Sequence, residues 1–192
     1  MLTRNHRGFS LVELMVTLTL LGVLMAAAIP AFGTWTANAR VRSVAESIQN
    51  GLRMAQTEAI RRNRQAVFAL TNATPALGAA LATNGSNWFI QTLPLVAGDP
   101  AAFVQGGTFA RQSAVTVTGA ALVCFNSIGR QVSNPATGLG ANCTAPASAT
   151  APSTFDVTRS GSDRALRIQV SLGGQIRMCD PAPGKAGQPD GC

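Results

Sequence analysis

The chain changes its hydrophobic rhythm twice. From Leu14 to Phe32, nineteen residues pass without a charge. As a helix that run would be about 28 Å long, close to the hydrocarbon thickness of a bilayer. After Pro30 the apolar positions become periodic: Val41, Val44, Ile48, Leu52, Ala55 and Ala59 are spaced by 3, 4, 4, 3 and 4. That is one stripe of an α-helix. Arg40, Arg42, Glu46, Arg53, Glu58, Arg61 and Arg62 fall mostly off the stripe. The spacing predicts a helix continuing to about Arg62, uniformly apolar in its first half and amphipathic in its second. The cluster Arg61-Arg62-Asn63-Arg64 stands at its C-terminus, where cations complement the helix dipole.

Beyond Arg64 the pattern is that of strands. QAVFALT (65–71), NWFIQTL (87–93), AVTVTG (114–119) and ALVCFNS (121–127) are short runs rich in Val, Phe, Ile and Thr, bounded by Gly, Pro and Asn. STFDVTR (153–159), ALRIQVSL (165–172) and QIRMCD (175–180) follow. Leu166, Ile168 and Val170 alternate with Arg167, Gln169 and Ser171, as in a half-buried strand. Gly173-Gly174 then reads as a hairpin turn, and Gly107, Gly119 and Gly129 read as ordinary turn glycines. Segments 72–86 and 133–153, rich in Ala, Gly, Thr, Asn and Pro, read as loops, and the tail PAPGKAGQPDGC as irregular. No internal repeat is present. The expected fold class is α+β: a long N-terminal helix whose second half packs on a C-terminal domain of antiparallel sheet.

Composition narrows the setting. A chain of 192 residues leaves room, after the helix, for one domain with a modest core. Apolar residues reach 46% and charged residues 12%, which suits a secreted β-rich domain better than a helical cytosolic enzyme. The formal net charge is +7, and every basic residue but Lys185 is Arg. Removal of a leader carrying Arg4 and Arg7 leaves 7 − 2 = +5. By itself this charge serves solubility as readily as an anionic partner.

Cys124, Cys143, Cys179 and Cys192 form no C-x-x-C pair, and His6 is the sole histidine. A zinc site is therefore disfavoured, and an even cysteine count beyond a membrane-targeting segment reads as two disulfides in an oxidising compartment. Three connectivities exist. Cys124–Cys143 with Cys179–Cys192 is favoured, because each closes a short loop through Gly/Pro-rich sequence.

Catalytic chemistry is not expected. No histidine lies beyond the leader, the seven carboxylates after Glu13 are scattered, and the phosphate-binding glycine patterns are absent. No catalytic residue, metal or cofactor is assigned.

The apolar run admits three readings. A cleaved secretory signal would use Ala26-Ala27-Ala28 as its cut site, but the run is too long and a carboxylate, Glu13, sits at its edge. A signal anchor explains the length and the preceding basic residues but not Glu13, since an ionisable group in a membrane segment usually has a partner and a role. The third reading places a cut between Gly8 and Phe9. Glu13 then becomes the fifth residue of the mature chain, about one turn from a new α-amino group that offsets its cost.

GFSLVELMVTLTLLGVLMAAAIPAF (8–32) resembles the class III leader junction and N-terminal helix of type IV pilins and type II secretion pseudopilins. The matching features are Gly8, Phe9, Glu13, the apolar run and Pro30. The resemblance implies a prepilin peptidase that cuts after Gly8 and methylates Phe9, and a role for Glu13 in docking the subunit into a filament. Pro30 removes one helical hydrogen bond and, in the family, lies where the helix bends or melts in the filament. AESIQNGLRMAQTEAIRRNRQAVF (45–68) and IQVSLGGQIRMCDP (168–181) resemble the GspH/FimT family. The implied organisation is a leader over 1–8, a membrane or filament-core helix over 9–33, an amphipathic helix over 34–64 and a β-rich domain over 65–192.

The implied function is that of a minor pilin (FimU-like or FimT-like) taking part in priming a type IV pilus, at its tip. Its partners would be other minor pilins, the major pilin, the prepilin peptidase and the inner-membrane assembly platform. It would sit as a single pass in the inner membrane with its globular domain in the periplasm, then in the surface pilus. A GspH-like pseudopilin is the first alternative. A DNA-binding minor pilin is the second. Relatives that bind DNA carry a C-terminal G-R-x-R pattern, of which Gly174-Gln175-Ile176-Arg177 keeps only the glycine and the last arginine. Arg167 and Arg164 are the cations that strand pairing would have to bring beside Arg177.

Overall fold

Ser10 starts the helix. Its side chain accepts a hydrogen bond from the Glu13 amide at 3.2 Å, and α1 (Leu11–Arg61) then runs for 51 residues. The computed structural model describes residues 8–96, 98–109, 114–148 and 151–192, and within α1 it leaves aside the side chains of residues 27, 30 and 31. Residues 1–7 of the expected leader, with Arg4, His6 and Arg7, lie outside the described residues. The helix is continuous through position 30, where proline leaves the carbonyl of Ala26 without its amide donor. It ends on Asn63, whose φ is 50°. The amide of Arg64 reaches back to the carbonyl of Ala59 at 3.1 Å and that of Asn63 to Ile60 at 3.1 Å. Asparagine tolerates the left-handed conformation that such a stop requires.

Among the described residues nine strands follow: β1 (Ala66–Thr71), β2 (Asn87–Thr92), β3 (Ala102–Thr108), β4 (Val115–Gly119), β5 (Leu122–Phe125), β6 (Gln131–Val132), β7 (Ser153–Arg159), β8 (Leu166–Val170) and β9 (Ile176–Cys179). They form a five-stranded sheet, β3-β2-β1-β5-β6, and a four-stranded sheet, β4-β7-β8-β9. All neighbours are antiparallel. This is the α+β arrangement that the periodicities predict, with both sheets packed on the second half of α1.

The helical stripe is the spine of the core. Val41, Val44, Ile48, Leu52, Ala55 and Ala59 are at most 1% exposed. They meet Phe68, Leu70, Trp88, Ile90 and Phe125 of the first sheet and Phe155, Val157, Ile168 and Val170 of the second. Phe68 stacks on Trp88 with ring centroids 5.6 Å apart and meets Phe155 edge-on at 5.8 Å. Burying side chains of this size yields about 1.5–3 kcal/mol each, which holds the helix to the domain.

Two strands were not expected. The seven residues of β3 contain Gly106-Gly107, and its register with β2 shifts between Ile90 and Gln91, so period-2 alternation is lost there. β6 has only two residues. Two glycines also differ from expectation. Gly107 and Gly119 lie in strands, not turns, and face aromatic rings: a Cβ would stand 2.6 Å from the Trp88 ring and 2.4 Å from the Phe155 ring respectively. Gly129 is a true turn residue, with φ 78°.

Segments 72–86 and 133–148 are irregular but not loose. With Val67, Ala69, Phe89, Leu93, Leu122 and Cys124 from the outer face of the first sheet, they build a second core around Ala79, Leu81, Leu139, Ala141 and Cys143. β1 is therefore buried on both faces, and this half of the domain has three layers: helix, sheet and loops.

Candidate assembly site

The proposed processing junction lies ahead of the helix. Gly8, Phe9 and Ser10 are exposed and outside regular structure, and Phe9 is 86% exposed. A peptide bond there is open to a protease, and nothing stands within 4 Å of where a Gly8 Cβ would sit. Glu13 is in the first turn of α1, three residues after its cap. Ser10-Leu11-Val12-Glu13 has the spacing of a helix-capping box, a signal readable in the sequence and missed there. Glu13 thus has a local role, complementing the helix N-terminus, besides the docking role implied by resemblance.

The large apolar side chains described after Glu13 face outward. Leu14, Leu18, Leu21, Val23, Met25, Ile29 and Phe32 are all at least half exposed. The hydroxyls of Thr17 and Thr19 donate to the carbonyls of Leu14 and Val16, each at 2.9 Å, so these polar groups are satisfied within the helix. No helix among the described residues is long and apolar enough to cross a membrane, and residues 27, 30 and 31, inside the run, are among the side chains left aside.

The arginines considered for DNA are occupied within the domain. Arg167 makes a two-pronged ion pair with Asp156, at 2.6 and 3.1 Å. That hydrogen bond holds the guanidinium above its ordinary pKa, with burial opposing. Arg177 donates to the carbonyls of Gly191, at 2.6 Å, and Pro189, at 3.3 Å. Arg164 lies 3.6 Å from both Asp180 and Asp190. Register pairs Gln169 with Arg177 and Cys179 with Arg167, so the two arginines share one face in different cross-strand rows. All three serve to hold the C-terminal tail or pair within the sheet.

Cys124 is bonded to Cys143 and Cys179 to Cys192. The first bridge pins the loop layer to β5. The second, with the Arg177 contacts, fastens the tail to β9, and the Lys185–Asp190 pair at 2.8 Å closes the tail on itself. Among the described residues no cluster of three or more His, Cys, Asp or Glu is placed to hold a metal ion.

Sequence reasoning also missed Gln56. Its amide donates to the carbonyls of Gly129, at 2.7 Å, and Gly174, at 2.8 Å. It ties a turn from each sheet to the helix at a point where Gly174, with φ 89°, approaches Gly129 too closely for any side chain. A polar residue beside the apolar stripe carries no period, so nothing in sequence distinguished it.

Comparison with known proteins gives two family matches. Residues 3–29 match the prokaryotic N-terminal methylation motif, which takes in Gly8, Phe9 and Glu13. Residues 44–174 match the family described as type II transport protein GspH. No curated protein matches the chain. Among solved structures, the type IV minor pilin FimU of Pseudomonas aeruginosa aligns with a TM-score of 0.51 at 18% identity, over 77% of this chain and 96% of FimU. The minor pseudopilin EpsH from the type 2 secretion system of Vibrio cholerae aligns with a TM-score of 0.47 at 14% identity, over 74% of this chain and 98% of EpsH. The likeness to FimU is one of fold. With the second family match spanning well over half of the sequence and the helix-on-sheet architecture agreeing with it, the chain belongs to the GspH family of pilin-like proteins.

Proposed function

We propose that the chain is a minor pilin of a type IV pilus, cut after Gly8, methylated on Phe9, and taking part in priming assembly at the pilus tip. The observation that carries this is a helix divided by environment. From Ala37 onward one face of it is buried in its own domain, whereas the large apolar side chains described between Leu14 and Phe32 are each at least half exposed. Leaving that much hydrocarbon in water is costly, so the first half belongs to a bilayer before assembly and to a bundle of neighbouring helices afterwards. The domain would then face the periplasm from a single-pass anchor in the inner membrane. Partners would be other minor pilins, the major pilin, the prepilin peptidase and the assembly platform. Glu13, at the cytoplasmic edge of the run, would meet the α-amine of a neighbouring Phe9, and Pro30 would mark where the helix yields.

The test is to purify the protein from its native cell, sequence its N-terminus, and follow pili in a deletion strain. A mature start at Phe9 with loss of surface pili supports the reading. A start at Met1 or Ile29 overturns the assigned processing.

A type II secretion pseudopilin is the second reading, favoured by the description of the matching family. It predicts that deletion stops secretion and leaves surface pili intact. DNA binding has less support, because Arg164, Arg167 and Arg177 are engaged internally. A salt-dependent shift of labelled duplex DNA, weakened by Arg177→Ala, would revive it.

A further inference from the structure

The protein has two tryptophans in opposite circumstances. Trp88 is buried and donates its indole N–H to Ser47 at 3.0 Å. Trp35 is 64% exposed, and its ring lies against that of Phe32, with centroids 5.6 Å apart. No described residue accepts from its N–H. Met25, Ala28, Ile29, Phe32 and Trp35 form one continuous, open apolar face of the helix.

Position along the axis says what covers this face. The uncharged run ends at Phe32; Trp35 lies three residues on, about 4.5 Å further along the helix. One turn later the domain begins. Asn38 donates to Asp163 at 2.6 Å and accepts from Ser162 at 2.7 Å, and Arg40 is exposed. Trp35 therefore stands between hydrocarbon length and polar domain, with an apolar ring and an unused donor. An indole of that kind suits the ester and phosphate oxygens of lipid, where aromatic belts form.

We propose that Trp35, backed by Phe32, is a lipid-interface anchor: the apolar face lies against acyl chains and the indole N–H donates to oxygens at the glycerol–phosphate level. The anchor seats the hairpin turn between β7 and β8, latched to Asn38, against the outer surface of the membrane and fixes the depth of the subunit before assembly. This rests on the membrane-anchored reading above.

The experiment uses the full chain reconstituted in phosphatidylethanolamine/phosphatidylglycerol vesicles containing lipids brominated near the ester linkage or near the chain end. Co-flotation and resistance to carbonate extraction report insertion separately. Trp35 emission, taken as wild type minus Trp35→Phe, should be quenched about twofold more by shallow than by deep bromine. The Trp88 emission left in Trp35→Phe should be quenched by neither. Using the difference avoids altering the core tryptophan. Failure to float overturns both membrane anchoring and the anchor. Flotation with quenching that is deep, or absent, overturns the anchor alone. Quenching is read at the lowest protein-to-lipid ratio that floats, where neighbouring helices do not compete for the face.

Discussion

Glu13 has one role visible in the monomer and a second that we propose for the assembly. In the isolated subunit it stands in the first turn of α1 above the Ser10 cap, where its charge complements the helix N-terminus for a few tenths of a kcal/mol up to about 1. In an assembly the same carboxylate would meet an amine. Glu13→Gln keeps most of the local hydrogen-bonding capacity and removes the charge. It should leave cleavage after Gly8 intact and reduce incorporation into filaments by tenfold or more, about 1.4 kcal/mol per tenfold step. Immunoblots of sheared filaments against whole cells check this; normal incorporation would refute the charge pairing. Glu58 offers a pH test. Its hydrogen bond from Arg61 and a further one from Arg62 lower its pKa, with burial opposing. A carboxylate held lower in the folded state stabilises the fold above its unfolded pKa, and that contribution fades as pH falls through the folded value. Glu58→Gln should therefore lower the melting temperature at neutral pH and flatten the loss of stability on acidification. Parallel acid titrations of the two proteins would reveal equal slopes if the pair were inert. The sequence displayed Glu13 plainly, because a charge at the margin of an apolar run is conspicuous. It did not display the engagements of Arg167 and Arg177, because those depend on cross-strand register and on a tail folded back by a disulfide.

At the scale of the element, α1 is two helices in environment and one in backbone. Glycine measures the difference. A Cβ on Gly33 would meet nothing within 4 Å, whereas one on Gly51 would lie 2.7 Å from the Phe68 ring. Gly→Ala within an exposed helix ordinarily gains about 0.8–1 kcal/mol. Gly33→Ala should approach that gain, unless the assembled filament needs the helix to yield there. Gly51→Ala should instead lose stability, because overpacking of about 1–3 kcal/mol outweighs the propensity term. Leu52→Ala, at the centre of the buried stripe, should cost about 2–5 kcal/mol. Thermal and urea unfolding of the three variants would rank them; a stabilised Gly51→Ala would mean that helix and sheet stand further apart than described. Periodicity revealed the stripe residue by residue. It failed for β3, whose Gly106 and Gly107 present no side chains to alternate, and it misassigned Gly107 and Gly119, which are glycine to admit the rings of Trp88 and Phe155.

At the scale of the molecule, a modest domain is held together by its covers as well as its core. The Cys124–Cys143 bridge closes a 19-residue separation and Cys179–Cys192 one of 13, and loops of such length contribute about 3 kcal/mol each in the chain-entropy account. Cys143→Ser should therefore lower stability by about 2–4 kcal/mol and expose the second core. Proteolysis should then cut first within 133–148. Equal protease resistance of variant and wild type would show that the loop layer holds without its bond. The sequence by itself determined the long helix, its division into an apolar and an amphipathic half, the antiparallel β domain and the N-terminal methylation motif. Each of these is written in local order: a hydrophobic period, a run length, a short motif. Only the tertiary structure decided that two loops form a third layer, that candidate DNA-binding arginines are used as internal clasps, and that Gln56 joins the two sheets to the helix. Those outcomes depend on which residues come within bonding distance once the chain is folded, and no hydrophobic period, run length or motif records that pairing, even where the partners are only 11 to 14 residues apart.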